Sequence, residues 1–188
     1  MQDVPNCAQS PLFPPPFPLF HVVIGCAFWY NNSIKKKGGM DMQLQGAIFD
    51  LPGTLLDGDG VPLPGVEPFL SLMKMSDVWM YGVTDSPASA ARQTLERAGL
   101  ASFFRGILSA PEYGRPRVDG PLCEKALRRL RTHPRATLVF TSRAEALEEL
   151  TQAGFQVVLV GAQPTEGQHA LAAEIITDYR ETTRLLND

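Results

Sequence analysis

Residues 47–57 read Ala-Ile-Phe-Asp-Leu-Pro-Gly-Thr-Leu-Leu-Asp, an apolar run that ends in a turn of small and acidic residues. The pattern predicts a buried β-strand that ends at Asp50 and a loop that follows it. An aspartate at the carboxyl end of a buried strand is a natural nucleophile position, because the strand fixes the backbone and the loop leaves the carboxylate exposed. The stretch therefore predicts a site at this strand end.

Runs of apolar residues of strand length alternate with helix-like stretches throughout residues 42–188. The predicted strands are Gly46–Asp50, Val78–Thr84, Gly106–Ser109, Thr137–Thr141, Val157–Gly161 and Glu174–Thr177. The predicted helices are Val66–Lys74, Ala88–Ala98, Pro121–Leu130, Ala144–Ala153 and Arg180–Leu186. Near-continuous apolar strands suit a parallel sheet that is covered on both faces. The predicted fold is therefore α/β, a doubly wound, Rossmann-like parallel sheet with its ligand crevice at the carboxyl ends of the strands.

Turn and cap residues support these boundaries. Ser86 and Pro87 are predicted to open the second helix, in the cap and first-turn positions. Gly99 and Gly154 lie where the C-caps of two helices are expected.

The stretch after the first strand resembles the first motif of the haloacid dehalogenase (HAD) superfamily, Asp-x-Asp-Gly-Thr-Leu, with Pro52 in the place of the second aspartate. The resemblance covers essentially all of residues 42–188 and is closest to the phosphoglycolate-phosphatase and β-phosphoglucomutase-like branch. It implies that Asp50 holds the position of a nucleophile that forms an aspartyl-phosphate. It also implies that Thr84, at the end of the second strand, binds the phosphoryl group together with Gly53 and Thr54.

The later motifs depart from the family's pattern. Gly-Lys-Pro, the third motif, reads Gly-Arg-Pro here, so the resemblance implies that Arg115 takes the lysine position. Arg115 can still bind the phosphate, but with a planar fork in place of a point charge. Thr141 and Ser142 stand where the family places the acidic residues that hold Mg²⁺, and the cation Arg143 follows them. Asp50 is then the only acidic ligand in the inherited position. With the backbone carbonyl of Pro52 it predicts at most a weak magnesium site.

Pro52 also removes an acid–base group. In the family the second aspartate protonates the leaving group and later activates water, a contribution of roughly 10²- to 10⁴-fold. The segments 57–78 and 86–114 are too short for an inserted cap domain. The resemblance therefore implies a capless HAD-like core with a crevice open to solvent, which weakens electrostatic catalysis further.

Three functions stay open. The first is a degenerate HAD-like protein with lost or very weak phosphatase activity that binds a phosphorylated ligand or a protein partner. The second is an active Mg²⁺-dependent phosphatase that uses substitute residues, and the third is a purely structural or interaction module. The candidate substitute acids are Asp57, Asp59, Asp85 and Asp178. Arg115 and Arg143, with Thr84 and the loop amides of residues 52–54, could instead form a metal-free anion site.

Composition bounds the partners and the compartment. The chain has 188 residues and a formal net charge of −3, which argues against a general nucleic-acid binder. The apolar stretch 19–30 is too short to span a bilayer. Three cysteines and three histidines form no disulfide framework or zinc spacing, so a reducing cytoplasm is predicted. The sequence does not predict an oligomeric state.

Residues 1–41 differ from the remainder in composition. They contain a proline-rich run, 11–18, and end in a lysine- and glycine-rich stretch, 35–39. The codons of Lys37-Gly38-Gly39 can spell a bacterial ribosome-binding sequence at a workable distance before Met42. We therefore expect residues 1–41 to be a non-native or disordered extension without a function, and the natural protein to start at Met42 or Met40.

Overall fold

The computed structural model describes residues 44–183. The predictions for residues 1–41 and for the end of the last helix therefore lie outside the described residues. Within them the strands form one parallel sheet of six in the order β3-β2-β1-β4-β5-β6. The strands are β1 (Gly46–Asp50), β2 (Trp79–Thr84), β3 (Phe104–Ser109), β4 (Thr137–Thr141), β5 (Gln156–Val160) and β6 (Glu174–Ile176).

Helices connect the strands, as a parallel sheet requires. They are α1 (Val66–Met75), α2 (Ala88–Arg97), α3 (Gly120–Leu130), α4 (Leu147–Gln152), α5 (Glu166–Leu171) and α6 (Arg180–Thr183). Among the described residues no helix is long and apolar enough to cross a membrane. The predicted α/β, doubly wound, Rossmann-like fold is confirmed.

Several boundaries differ from the predictions. β3 begins at Phe104 rather than Gly106. The predicted start was too late because Arg105 interrupts the apolar run of this edge strand, where it lies exposed and stacks over the Trp79 ring. The predicted helix Ala144–Ala153 is a 3₁₀ turn, Ala144–Ala146, followed by α4. The prediction missed α5, a short helix without a buried residue. Its sequence pattern is a capping box of Thr165 and Gln168, in which the Gln168 side chain accepts a hydrogen bond from Thr165 N at 2.9 Å.

The predicted opening of α2 was wrong by one residue. Pro87 has an extended ψ of 136° and is itself the N-cap, with the helix starting at Ala88, and no side chain caps it. Ser86 instead donates its backbone N–H to Thr84 Oγ1 at 3.1 Å, so it belongs to the turn that leaves β2. Gly99 and Gly154 have φ values of 73° and 85° directly after the C-caps of α2 and α4, in agreement with the sequence.

Each face of the sheet has its own hydrophobic core. Alternate side chains of a strand point to opposite faces, so Phe49 packs into one cluster and Ile48 into the other. The first cluster is aromatic, and its Phe49 and Phe140 rings stack with centroids 4.6 Å apart. Burial on both faces explains why β1 and β4 are fully buried and why their predicted bounds are confirmed.

The order of the strands places the crevice. The chain adds β2 and β3 on one side of β1 and then returns to add β4 on the other side. The switch point of the sheet therefore lies between β1 and β4, where ligands of doubly wound folds bind. Asp50 and Thr141 end these two strands, and Thr84 ends β2 beside them.

Candidate functional site

Asp50 is buried at the carboxyl end of β1. Its side chain is only 4% exposed, whereas the sequence predicted an exposed carboxylate. Oδ2 accepts hydrogen bonds from Arg143 Nε at 2.8 Å and from the Thr141 hydroxyl at 3.0 Å. The difference arises because β4 runs beside β1, so that Thr141 and Arg143 at the end of β4 lie over the carboxylate.

Arg143 contacts three other residues of the site. Besides Asp50, its guanidinium lies 3.5 Å from a carboxylate oxygen of Asp85 and donates to the backbone carbonyl of Val118 at 3.2 Å. Asp85 follows β2, and its other carboxylate oxygen accepts from Val118 N. The Arg143 side chain thus contacts the end of β1, the loop after β2 and the loop before α3, all at the carboxyl edge of the sheet.

Opposing influences act on the Asp50 carboxyl. Burial raises the pKa of Asp50 above its ordinary value, because a carboxylate loses hydration in the interior. The Arg143 charge and the hydrogen bonds from Thr141 and Arg143 lower it again, and the Asp85 charge adds to the rise. The guanidinium is therefore the main group that favours the ionised form of this buried acid.

The loop after β1 is tied to the loop after β4. Ser142 N donates to the buried Thr54 Oγ1 at 2.9 Å, and Arg143 N donates to Thr141 Oγ1 at 3.1 Å. Gly53 has a φ of 69°, and a Cβ atom there would lie 2.8 Å from Ser142 Oγ. The positive φ therefore favours glycine at this position, and an added Cβ would also displace the Ser142 hydroxyl.

Pro52 and Thr84 line a cleft beside the buried carboxylate. The cleft has a volume of about 300 Å³ and lies between the first loop and α2. Pro52 is exposed, and Thr84 is buried and accepts from Ser86 N. Leu51 and Asp59 belong to the same wall. The structure thus brings the predicted positions of Pro52, Thr84 and the first loop together.

Arg115, the residue in the predicted lysine position, is paired elsewhere. Its guanidinium bonds Asp119 Oδ2, four residues further on, and Asp119 also caps α3 by accepting from Leu122 N at 2.9 Å. The predicted pairing of Arg115 and Arg143 in one anion site therefore competes with an acidic partner at each arginine.

Most candidate substitute acids are already engaged. Asp57 Oδ1 accepts from Asp59 N and Val61 N, both at 2.9 Å, so it stabilises its own turn. Asp178 accepts from Arg180 Nε at 3.0 Å, and Asp85 forms an ion pair with Arg143. Asp59 is an exposed carboxylate in the wall of the cleft and is the best placed of the four to meet a ligand.

The oxygen atoms around Asp50 do not suit Mg²⁺. This ion requires octahedral oxygen ligands at about 2.0–2.1 Å, usually including carboxylates. Here the neighbours of Asp50 Oδ2 are a hydroxyl and a guanidinium, both of which donate hydrogen. In residues 44–183 no group of three or more His, Cys, Asp and Glu side chains could hold a metal ion. The weak magnesium site predicted from Asp50 and the carbonyl of Pro52, with Thr141 and Ser142 at the acidic positions, stays a prediction that these neighbours do not favour.

The sequence singled out most of these residues but not their contacts. Arg143 was noticed as a nearby cation, yet its bond to Asp50, across 93 residues of sequence, was not foreseen. Val118 was not singled out at all, because a backbone carbonyl has no signature in a sequence. The roles of Asp50, Pro52, Gly53, Thr54, Thr84 and Arg115 in binding or catalysis stay predictions.

No protein-family model and no curated protein matches the sequence. Solved structures do match. A predicted phosphatase from Clostridium acetobutylicum superposes with a TM-score of 0.65 at 15% identity, over 78% of this chain and 100% of that one. A β-phosphoglucomutase-like protein from Thermotoga maritima gives 0.62 at 17% identity, over 77% and 97%.

A third match is a HAD hydrolase from Bacillus subtilis that was solved bound to magnesium. Its TM-score is 0.55 at 17% identity, over 69% of this chain and 56% of that one. At such identities the likeness concerns the fold. The chain has the α/β fold of the haloacid dehalogenase-like hydrolases.

Proposed function

We propose that this protein keeps the HAD fold while its phosphatase activity is lost or very weak. The observation that carries the proposal is the bond from Arg143 Nε to Asp50 Oδ2 at 2.8 Å. An attacking carboxylate needs an oxygen lone pair directed at phosphorus. Here a guanidinium and a hydroxyl bind one of the two carboxylate oxygens and fix the orientation of the group, and the side chain is nearly inaccessible to solvent.

Two further features support weak chemistry. Pro52 has no titratable group, so it cannot protonate a leaving group or activate water, which alone removes roughly 10²- to 10⁴-fold in rate. The charge that develops on a transferring phosphoryl group also needs neutralisation. Arg143 is a cation near the site, but it is already held by Asp50 and Asp85.

The cleft favours a remaining binding role. Its lining residues include Thr84 at the end of β2, residues 56–60 of the first loop and Arg97 on α2. A phosphorylated small molecule or a segment of a protein partner is the class of ligand that we propose for it. The likeness to phosphatases in the matched structures agrees with a phosphorylated ligand.

The alternative is an active phosphatase that uses a substitute acid. The exposed carboxylate of Asp59 in the cleft is the observation that favours it. Asp59→Asn therefore belongs in the same experiment as changes at the inherited positions.

The test measures hydrolysis of p-nitrophenyl phosphate and a panel of sugar phosphates by the full chain with Mg²⁺. We expect wild type and Asp50→Asn to be equally inert. We expect Pro52→Asp to recover little, because the hydroxyls of Thr141 and Ser142 still replace the metal carboxylates. Turnover by wild type that Asp50→Asn abolishes would overturn the proposal, and turnover that Asp59→Asn abolishes would establish the alternative.

Ligand binding is tested separately by thermal shift with inorganic phosphate and with the same sugar phosphates. A saturable rise in the melting temperature that Thr84→Ala weakens would support the binding role. An inert protein without any shift would instead leave the structural or interaction module as the function.

A further inference from the structure

The backbone of Arg143 is held in place by hydrogen bonds next to the crevice. Its backbone N–H donates to Thr141 Oγ1 at 3.1 Å, and the preceding Ser142 N–H donates to Thr54 Oγ1 at 2.9 Å. The residue is also the N-cap of the 3₁₀ turn Ala144–Ala146, with an extended ψ of 101°. These bonds fix where the side chain starts, which reduces the entropy lost when it orders.

The guanidinium then meets oxygen atoms from three directions. Nε donates to Asp50 Oδ2 at 2.8 Å, one terminal nitrogen lies 3.5 Å from Asp85 Oδ2, and the other donates to the Val118 carbonyl at 3.2 Å. The Arg143 side chain is 20% exposed, and the carboxyl of Asp50 below it is 4% exposed. A planar fork of N–H donors suits this spread of acceptors.

These acceptors are the kind of atoms that a hard divalent cation binds. Carboxylate oxygens and backbone carbonyls are ordinary ligands of Mg²⁺ and Ca²⁺. Two carboxylates close together at a strand edge repel one another and need a positive charge between them. In this protein the positive charge is covalently attached to the chain, and its nitrogen atoms lie 2.8 Å from Asp50 Oδ2 and 3.5 Å from Asp85 Oδ2, where a metal ion would meet the same oxygens.

We propose that the guanidinium of Arg143 is the permanent counter-charge of this crevice and replaces a divalent cation there. The Asp50 and Asp85 carboxylates are held together without a metal ion, and Mg²⁺ does not bind at this position. The inference rests on the proposed function and deepens it, since a crevice that binds no divalent cation lacks the charge neutralisation that phosphoryl transfer needs. Its readouts are protein stability and metal binding rather than turnover.

The counter-charge role has a consequence for stability. Removing one partner of a buried ion pair leaves the other charge buried and uncompensated, which is strongly destabilising. We expect Arg143→Gln to lower the melting temperature by roughly 5–15 °C, after allowance for the partial exposure of the arginine. Arg117→Gln is the matched control, because Arg117 is half-exposed and only approaches Glu149 at 3.8 Å. It should change the melting temperature by about 1 °C or less.

The experiment follows thermal unfolding of the full chain with excess Mg²⁺ or with EDTA. We expect the same wild-type melting temperature in both, and no heat of Mg²⁺ binding by calorimetry. A double-mutant cycle of Asp50→Asn and Arg143→Gln should show that the double variant loses much less than the sum of the single variants. Asp50→Asn keeps the shape of the side chain. Its own change in melting temperature therefore measures the removal of one charge of the pair, even if Arg143→Gln does not fold.

Three results would overturn the inference. They are saturable stabilisation of wild type by Mg²⁺, an Arg143→Gln variant as stable as the Arg117→Gln control, and additive losses in the cycle. Failure here is distinguishable from failure of the proposed function. Mg²⁺ binding without turnover would refute the counter-charge alone, whereas turnover in EDTA would refute only the loss of activity.

Discussion

At the residue scale, Pro52 and Arg143 change the crevice in different ways. Pro52 is exposed in the loop after β1 and lacks a group that exchanges protons. Arg143 lies in the loop after β4 and adds a positive charge that binds the nucleophile position. An acid introduced at residue 52 would therefore leave Asp50 buried, with Arg143 still bound to its Oδ2.

Gly53 gives a prediction at this scale. Its φ of 69° is unfavourable for any residue with a Cβ atom, and an added Cβ would lie 2.8 Å from Ser142 Oγ. We expect Gly53→Ala to lower the free energy of unfolding by about 1–2 kcal/mol in urea denaturation.

Gly58→Ala is the control for this change. Gly58 lies in the same loop, is not in the left-handed region and has open space around its Cα atom. Its effect should stay within about 0.5 kcal/mol, or be slightly stabilising. Equal losses in the two variants would show that Gly53 is not needed for the close approach of the loops.

At the element scale, the start of α3 shows why Arg115 is not available to the crevice. Asp119 precedes the helix, accepts from Leu122 N at 2.9 Å and pairs with Arg115. The next residue, Gly120, donates its N–H to Glu149 at 2.8 Å. The helix N-terminus is therefore satisfied by side chains of its own chain.

This cap predicts the effect of changing Asp119. Asp119→Ala should cost about 1–2 kcal/mol in the free energy of unfolding, because a helix donor loses its acceptor. Asp119→Asn keeps an acceptor oxygen and should cost less than half as much. Glu124→Ala, on the exposed side of α3, is the control and should be nearly neutral. Equal losses for Ala and Asn would assign the effect to the pair with Arg115 rather than to the cap.

At the scale of the whole molecule, the sheet and both of its cores lie within residues 44–183. A fragment that starts at Met42 should therefore unfold cooperatively, with a melting temperature within about 2 °C of the full chain. Differential scanning calorimetry of the two proteins measures this. A large loss in the fragment would contradict the expectation that residues 1–41 add nothing to the fold.

The sequence by itself determined the architecture. Apolar runs buried on both faces of a parallel sheet are readable without knowledge of their neighbours, so β1 and β4 were predicted to the residue. The edge strand β3 and the exposed helix α5 were read less well, because partly exposed elements lack a continuous apolar pattern. The sequence also placed Asp50 at the end of β1, which is confirmed, whereas the loss of acids at positions 52, 141 and 142 stays a prediction.

Only the tertiary structure decided the state of the crevice. The direction of the Arg143 side chain depends on Asp50, Asp85 and Val118, which lie on three other segments of the chain. An arginine in a loop has many rotamers of similar energy until distant acceptors select one. The sequence therefore shows a threonine and a serine at residues 141 and 142, beside Arg143, but not where the arginine side chain lies. The folded chain was needed to show that the guanidinium of Arg143 lies 2.8 Å from the carboxylate of Asp50.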